Sequence, residues 1–387
     1  AFDYLGYLGT DSLTAEQIAA KMYDIACSFS MRAGANQCSI SITGLSENMD
    51  EAMEIVGGLL TGARPDEAIL ANLKTDMMKS RADAKLNQSR CFRALQQYML
   101  YGGDFIRRTT LTNPALETTT SEALLAKIQD LLGKQHEVLY YGPQSEKEVT
   151  EALAAHHKTP AELQPLEKKH VQLLPTDESR VLMAQYDAKQ LYYMQFSNLG
   201  KQFDVTADPE ITLYNEYFGG GMNSIVFQEM REARGLAYSA AARIMQPGYA
   251  DRNYGYMAFI ATQNDKMQTA IEAFDEIINN MPESEAAFNI AKDGLISRLR
   301  TDRTVKDQVL WSYIDQRDMG LTEDRNKQIF EKVQSMTLAD VKAAQEKWVK
   351  DRKYVYGILG DIQDLNLNYL KTLGPIQTVS QEEIFGY

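Results

Sequence analysis

Markers recur along this chain at a near-constant spacing. Pro65-Asp66-Glu67 has its counterpart in Pro282-Glu283-Ser284, 217 positions on, and Asn72 and Asp76 recur as Asn289 and Asp293 at the same distance. Gly102 and Gly320, Ala52 and Ala270, and Gly142 and Gly360 each stand 218 apart. One coincidence would carry no weight, but a set of markers held to one spacing points to duplication. The period is too long for a solenoid and fits two homologous domains. Length agrees, since 387 residues exceed what one core ordinarily serves.

The join lies around Lys158 to Ser179. Pro160, Pro165 and Pro175, with Glu, Lys and Gln between them, resist both helix and sheet and read as a linker. The expected division is a first domain over residues 1–160, a linker over 161–179 and a second domain over 180–387. Local patterns fill these in. Thr14 with Gln17 three residues on reads as a capping box, and Ile18, Met22 and Ile25 give the stripe of the helix behind it. Ser28–Met31 and Cys38–Thr43 alternate as half-buried strands do. Helical patterns run from about Asn48 to Leu60, after Pro65 and through Ala94 to Leu100. Thr120 caps a further helix, and Val138-Leu139-Tyr140-Tyr141-Gly142 is expected to close the half as a strand, as residues 337–360 do in the second half. Hairpins and helices in blocks point to an α+β fold, each domain a mainly antiparallel sheet with helices packed on it.

Composition narrows the partners. A formal charge of −13 with no long basic segment argues against nucleic acid. No stretch approaches the roughly 18 apolar residues of a membrane span. Cys27, Cys38 and Cys91 are far apart, odd in number and form no CxxC pair, so they read as buried thiols and leave the compartment open between cytoplasm and periplasm. The opening Ala1-Phe2-Asp3-Tyr4 has neither a methionine nor a signal region, which suggests a processed protein or a piece of a longer one.

The most informative stretch is Phe218-Gly219-Gly220-Gly221-Met222-Asn223-Ser224, running on through Ile225 and Arg231 to Arg234-Gly235-Leu236-Ala237-Tyr238. Met222, Val226, Met230 and Ala233 share one helical stripe, which predicts a core face. Gly235 stands where a left-handed cap would stop the helix, and a strand is expected from Tyr238 onward. The glycines are not a Walker cradle, because Met222-Asn223 stands where a lysine and a hydroxyl residue are needed, and the dinucleotide fingerprint fails too. They suit close backbone packing or a loop at a cleft.

The chain offers no catalytic centre of its own. His136, His156, His157 and His170 stand in neither HExxH nor HxxEH spacing and read as surface or loop histidines. No GxSxG elbow occurs, and no cysteine has a histidine nearby in sequence.

The run from Phe218 to Tyr238 resembles the signature of the pitrilysin family of zinc metallopeptidases, the inverzincins that include insulin-degrading enzyme and mitochondrial processing peptidase. Leu8-Gly9-Thr10 with Thr14-Ala15-Glu16-Gln17-Ile18 resembles the start of another domain of that family, so the likeness covers nearly the whole chain. The resemblance implies paired homologous α+β domains, two such halves closing as a clamshell around a peptide chamber. It also implies which half this is. A catalytic domain carries its HxxEH helix just before the Gly-Thr that matches Gly9-Thr10. That register puts Asp3 in the slot of the glutamate, Tyr4 in the slot of the second histidine, and Met78 or Lys79 near the distal zinc glutamate. The chain therefore resembles the zinc-free C-terminal half, with zinc expected in an N-terminal half or partner subunit. That half contributes an Arg and a Tyr in the family, and Arg231 and Tyr238 match the types and the spacing. Arg234 is a possible substitute with the wrong spacing to Tyr238. From spacing alone, Arg231 and Arg234 read rather as solvated cations at a helix end and Tyr238 as an ordinary strand aromatic, and it is the resemblance that reverses this reading.

The reading that follows is the C-terminal half of a zinc-dependent metalloendopeptidase, inactive alone. It forms the far wall of a peptide chamber and supplies Arg231 and Tyr238 to bind substrate and oxyanion. Its partners would be the HxxEH half, in one polypeptide or as a separate subunit, and peptide substrates. The alternative is a catalytically inactive scaffold or partner subunit of the same family. An enzyme complete in this chain has least support.

Overall fold

A computed structural model describes residues 1–167 and 169–387. They form two compact units, one of residues 1–83 and 111–171, the other of residues 84–110 and 172–387. The first unit is mainly helical. Its sheet is the antiparallel hairpin of β1 (Cys27–Ala33) and β2 (Cys38–Gly44). The helices Ala15–Asp24, Met49–Gly62 and Ser121–Leu132 close over a core of Leu5, Leu8, Ile18, Met22, Val56, Leu59 and Ile128. The capping box forms as the sequence predicts: the Gln17 N–H donates to Thr14 Oγ1 at 3.2 Å and the Thr14 N–H to Gln17 Oε1 at 2.8 Å.

The second unit holds a six-stranded sheet of β3 (Arg180–Gln185), β4 (Gln190–Gln202), β5 (Ser239–Met245), β6 (Asn253–Gln263), β7 (Val355–Gly360) and β8 (Ile376–Thr378). The order is β5-β6-β4-β7-β3-β8. Pairing is antiparallel from β5 to β7, then parallel at β7/β3 and β3/β8, so the sheet is mixed. One face carries the helices Asp208–Phe218, Met267–Asn279, Glu285–Thr301 and Leu338–Trp348, with Tyr214, Phe218, Phe274, Val341 and Trp348 in the core beneath them. Helix with sheet in this arrangement is α+β.

The other face is covered by the helix Gln88–Thr109, which sequence order puts in the first half. Its Cys91, Leu95 and Met99, spaced four apart on one stripe, are fully buried in a cluster with Leu182, Met194, Phe196 and Leu359. Amphipathicity makes this helix legible in the sequence, but not the sheet that receives it. A compact unit here is therefore discontinuous in sequence, where a continuous division at 160 and 180 was expected.

A second departure is Val138–Gly142, which forms no strand, with Val138 and Tyr141 exposed. Its counterpart β7 is held between β4 and β3. The described residues of the first unit contain no counterparts of β3 and β4, so this segment has no backbone partner. The first unit is thus a two-stranded hairpin with helices rather than a full sheet.

The same interactions nevertheless recur in both units. The Tyr4 hydroxyl accepts from the Asp66 N–H at 2.8 Å and lies 3.0 Å from the Asp66 carbonyl. The Tyr217 hydroxyl accepts from the Ser284 N–H at 3.0 Å and donates to the Pro282 carbonyl at 2.8 Å. Lys74 Nζ donates to the carbonyls of Glu117 and Thr119 at 2.9 and 2.6 Å, and Lys292 Nζ to those of Gln334 and Met336 at 2.9 and 2.8 Å. Gly102 and Gly320, counterparts in sequence that both lie in the second unit, have positive φ, at 80° and 72°.

Two outcomes follow. Tyr217→Phe removes a phenol bridging a carbonyl and an N–H across 65 and 67 residues. It should cost about 1–2 kcal/mol in urea unfolding, with Tyr4→Phe costing a similar amount in the first unit. Asp275 lies within the second unit, where burial pushes its carboxyl up to about 6 from an ordinary 3.8. The folded state therefore holds a proton that the unfolded state releases between these values. Stability should rise as pH falls from about 7.5 to about 5. Asp275→Asn should flatten that dependence and add on the order of 2 kcal/mol at pH near 7.5, read from urea midpoints at the two pH values.

Candidate functional site

The site is built from the end of the helix Asp208–Phe218. A Cβ on Gly219 would run into the Ala242 carbonyl of β5, and one on Gly220 would come within 2.7 Å of the Asn215 carbonyl oxygen. These two glycines let the chain press onto β5, whereas a Cβ on Gly221 would meet nothing within 4 Å. Close packing is thus the role of the first two, as the sequence suggested. Ser224 then caps the next helix, accepting from the Phe227 N–H at 3.4 Å.

That helix is not one regular amphipathic segment. A single α turn over Ile225–Phe227 passes into a π-helix over Gln228–Ala233. The Arg234 N–H reaches back five residues to the Glu229 carbonyl at 3.2 Å, and the Leu236 N–H six residues to that of Met230 at 2.9 Å. Val226 and Met230 are fully buried, as expected, but Met222 is 72% exposed and Ala233 is also exposed. Met222 lies in the turn before the helix, and the wider π turn carries Ala233 off the buried stripe. π turns of this kind concentrate at functional sites. Gly235 ends the segment in the left-handed region at φ 59°.

The chain then reverses. The Tyr238 N–H donates to the Ala261 carbonyl at 3.0 Å, which fixes its backbone beside β6 while its ring stays 74% exposed. The Arg231 guanidinium carbon lies 4.9 Å from the Phe227 ring centroid and 5.8 Å from that of Tyr238. The π turn and the glycine cap therefore bring Arg231 and Tyr238 side by side. Phe227, four residues before Arg231, is the contact that sequence reasoning missed; helical i,i+4 spacing was the signal that could have found it.

Arg234 is placed differently. It pairs with Glu276 at 2.8 Å and Glu229 at 3.5 Å, and the hydrogen bond to Glu276 holds its pKa above the usual arginine range. It is engaged in tying the π-helix to the helix Met267–Asn279. The Arg231 Nε has the neighbouring Glu232 carboxylate at 3.6 Å, and its side chain is about half exposed, at 46%.

The residues in the slots of the family's zinc ligands do not fit that zinc site. No three His, Cys, Asp or Glu side chains among them gather to hold a metal ion. Tyr4, in the slot of a ligating histidine, is buried with its hydroxyl 2.7 Å from Ser121 Oγ, and neither Met78 nor Lys79 offers a carboxylate. No helix among the described residues is long and apolar enough to cross a membrane.

Comparison with known proteins agrees with this geometry. Residues 122–295, which include the whole glycine-run motif, match the family model for the peptidase M16 inactive domain. No curated protein matches the chain. Among solved structures, the peptidase M16 inactive domain from Pseudomonas fluorescens is 17% identical with a TM-score of 0.70, over 93% of this chain and 86% of that one. The periplasmic protease PqqL from Escherichia coli is 14% identical with a TM-score of 0.67. The ferredoxin protease FusC, solved as a point mutant in complex with Arabidopsis ferredoxin, is 13% identical with a TM-score of 0.70. Each match to these two proteases covers 93% of this chain but only 40% of theirs. At such identities the structures speak for the fold alone. With the family model they agree with what the motif began: residues 122–295 match the peptidase M16 inactive domain, and the chain is similar in fold to members of that pitrilysin-like family.

Proposed function

We propose that this chain is the zinc-free half of a pitrilysin-like metalloendopeptidase, inactive alone and forming the far wall of a peptide chamber, and that its sequence halves, residues 1–160 and 180–387, are homologous copies. The observation that carries this reading is the contact of Arg231 with Tyr238. Both groups are turned to solvent at one spot of an M16 inactive domain, while Arg234 beside them is held by two carboxylates. The family's zinc would belong to a half outside this chain, the HxxEH half with which it would pair.

What this chain's residues would do follows from their chemistry. The guanidinium presents a planar fork of N–H donors, suited to a peptide carbonyl or carboxylate, and would hold the substrate in register. The Phe227 and Tyr238 rings on either side limit its motion. The Tyr238 hydroxyl would donate a hydrogen bond to a carbonyl oxygen as that oxygen gains negative charge. Because both groups stand on a half without metal donors, they would meet the reacting bond only when two halves close, coupling chemistry to a conformational step. A scaffold or partner subunit without catalysis is the second reading, and the match to an inactive domain favours it. Such a subunit has no need of an exposed Arg–Tyr contact.

The test is hydrolysis of a quenched fluorescent peptide by this chain, alone and mixed with the zinc-bearing half. Activity is expected only in the mixture, abolished by a chelator. There Tyr238→Phe should lower kcat on the order of 10²-fold, and Arg231→Ala should act mainly on KM. Both variants should keep their stability within about 0.5 kcal/mol, because the side chains are exposed. Unchanged turnover in Tyr238→Phe would remove its assigned role, and silence in a mixture that demonstrably associates would favour the scaffold.

A further inference from the structure

The first unit brings together two histidines that stand 21 residues apart in sequence, His136 and His157. Their Nε2 atoms face one another at 2.7 Å, with ring centroids 4.9 Å apart and planes at 89°. The Nδ1 of His136 lies 2.7 Å from the Lys134 carbonyl. A carbonyl only accepts, so Nδ1 carries the proton and Nε2 presents a lone pair. This is the arrangement by which a backbone carbonyl orients a ligating imidazole. His157 is partly buried, and burial, with His136 beside it, keeps its pKa below the ordinary imidazole value. Two imidazoles that meet nitrogen to nitrogen are joined either by one shared proton or by one cation.

Both rings are held by ordered backbone. The segment carrying His136 is fixed by Gln135 N–H to the Gln164 carbonyl and by Gln164 N–H to the Gly133 carbonyl, each at 2.8 Å. Lys134, the nearest cation in sequence, is occupied by Gln164 at 2.8 Å and Asp130 at 3.2 Å. His157 closes the helix Glu146–His156, its N–H donating to the Leu153 carbonyl at 2.9 Å. The adjacent His156 points elsewhere, with Nε2 3.8 Å from Asp50 Oδ1.

We propose that His136 and His157 form a two-imidazole site for a borderline divalent cation of the Zn2+, Ni2+ or Cu2+ class. Such ions take imidazole nitrogen at about 2.0–2.1 Å, so tetrahedral coordination needs the two nitrogens roughly 3.4 Å apart, a separation reached by a movement of well under one ångström. Water fills the remaining positions, which makes the site exchangeable rather than structural. A bound ion clips the end of one helix to the segment after another and closes the loop between residues 136 and 157. This inference rests on neither Arg231 nor Tyr238, and it stands or falls apart from the reading of peptidase function.

The chain has only four histidines, so each can be replaced in turn. The protein, purified without a polyhistidine tag, is titrated calorimetrically with NiCl2 and with ZnCl2, and its Tm is followed with and without the ion. The expected result is one ion per chain, displaced by imidazole, with Tm raised by a few degrees. His136→Ala and His157→Ala should each weaken binding at least tenfold and abolish the Tm rise. His156→Ala and His170→Ala should retain both, and circular dichroism confirms that every variant folds. Absence of binding in the unaltered chain overturns the proposal. So does binding that survives loss of His136 and His157, or that is lost equally on replacing His156.

Discussion

The second unit depends on how closely the end of one helix meets one strand. Gly219 lies against the Ala242 backbone, and four residues earlier Asn215 bridges the Ile244 backbone, accepting from its N–H at 2.8 Å and donating to its carbonyl at 2.9 Å. β5 is the first strand of the sheet, and its outer edge would otherwise display unpaired amide groups. The helix end covers part of that edge and fixes where the π-helix begins. From there the positions of Arg231, Gly235 and Tyr238 follow in sequence. A side chain at Gly219 would separate helix from strand, and the Arg–Tyr contact would lose its frame.

Around that frame the residues divide into those that build and those that remain available. Arg234, Tyr217 and Lys292 are committed to carboxylates or carbonyls that hold one element to another. Arg231 and Tyr238 hold chiefly to each other and to Phe227, and their polar ends face water. The same contrast separates Tyr4 from a metal ligand: its hydroxyl is consumed in a buried network, where an imidazole in its slot would have to face an ion.

Much of this was legible in the sequence, and the legible part is local. The Thr14 capping box, the Thr120 cap and the Gly235 stop each depend on a few neighbouring residues, and each is found where the pattern put it. The spacing of 217–218 is also a property of the string, and the recurring Lys74/Lys292 hydrogen bonds, 218 positions apart, give it physical content. The failures are of another kind. Met222 and Ala233 fit an ideal α-helical stripe, but the backbone starts later and widens into a π turn. Val138–Gly142 has the composition of a strand, yet a strand needs a neighbour as well as a pattern.

The sequence by itself determined most of the helices, the caps, the glycine positions and the donor and aromatic residue types that meet at Arg231 and Tyr238. All of these follow from backbone dihedrals, helical periodicity and side-chain chemistry, which act within a few residues. Only the tertiary structure decided that the helix Gln88–Thr109 covers the sheet of the second unit, that Arg231 rests on Tyr238 while Arg234 is tied to Glu276, and that His136 meets His157. An apolar stripe, a cation or an imidazole states what it can bind. Which partner it meets is set by the packing of segments far apart in the chain, and no local pattern records that choice.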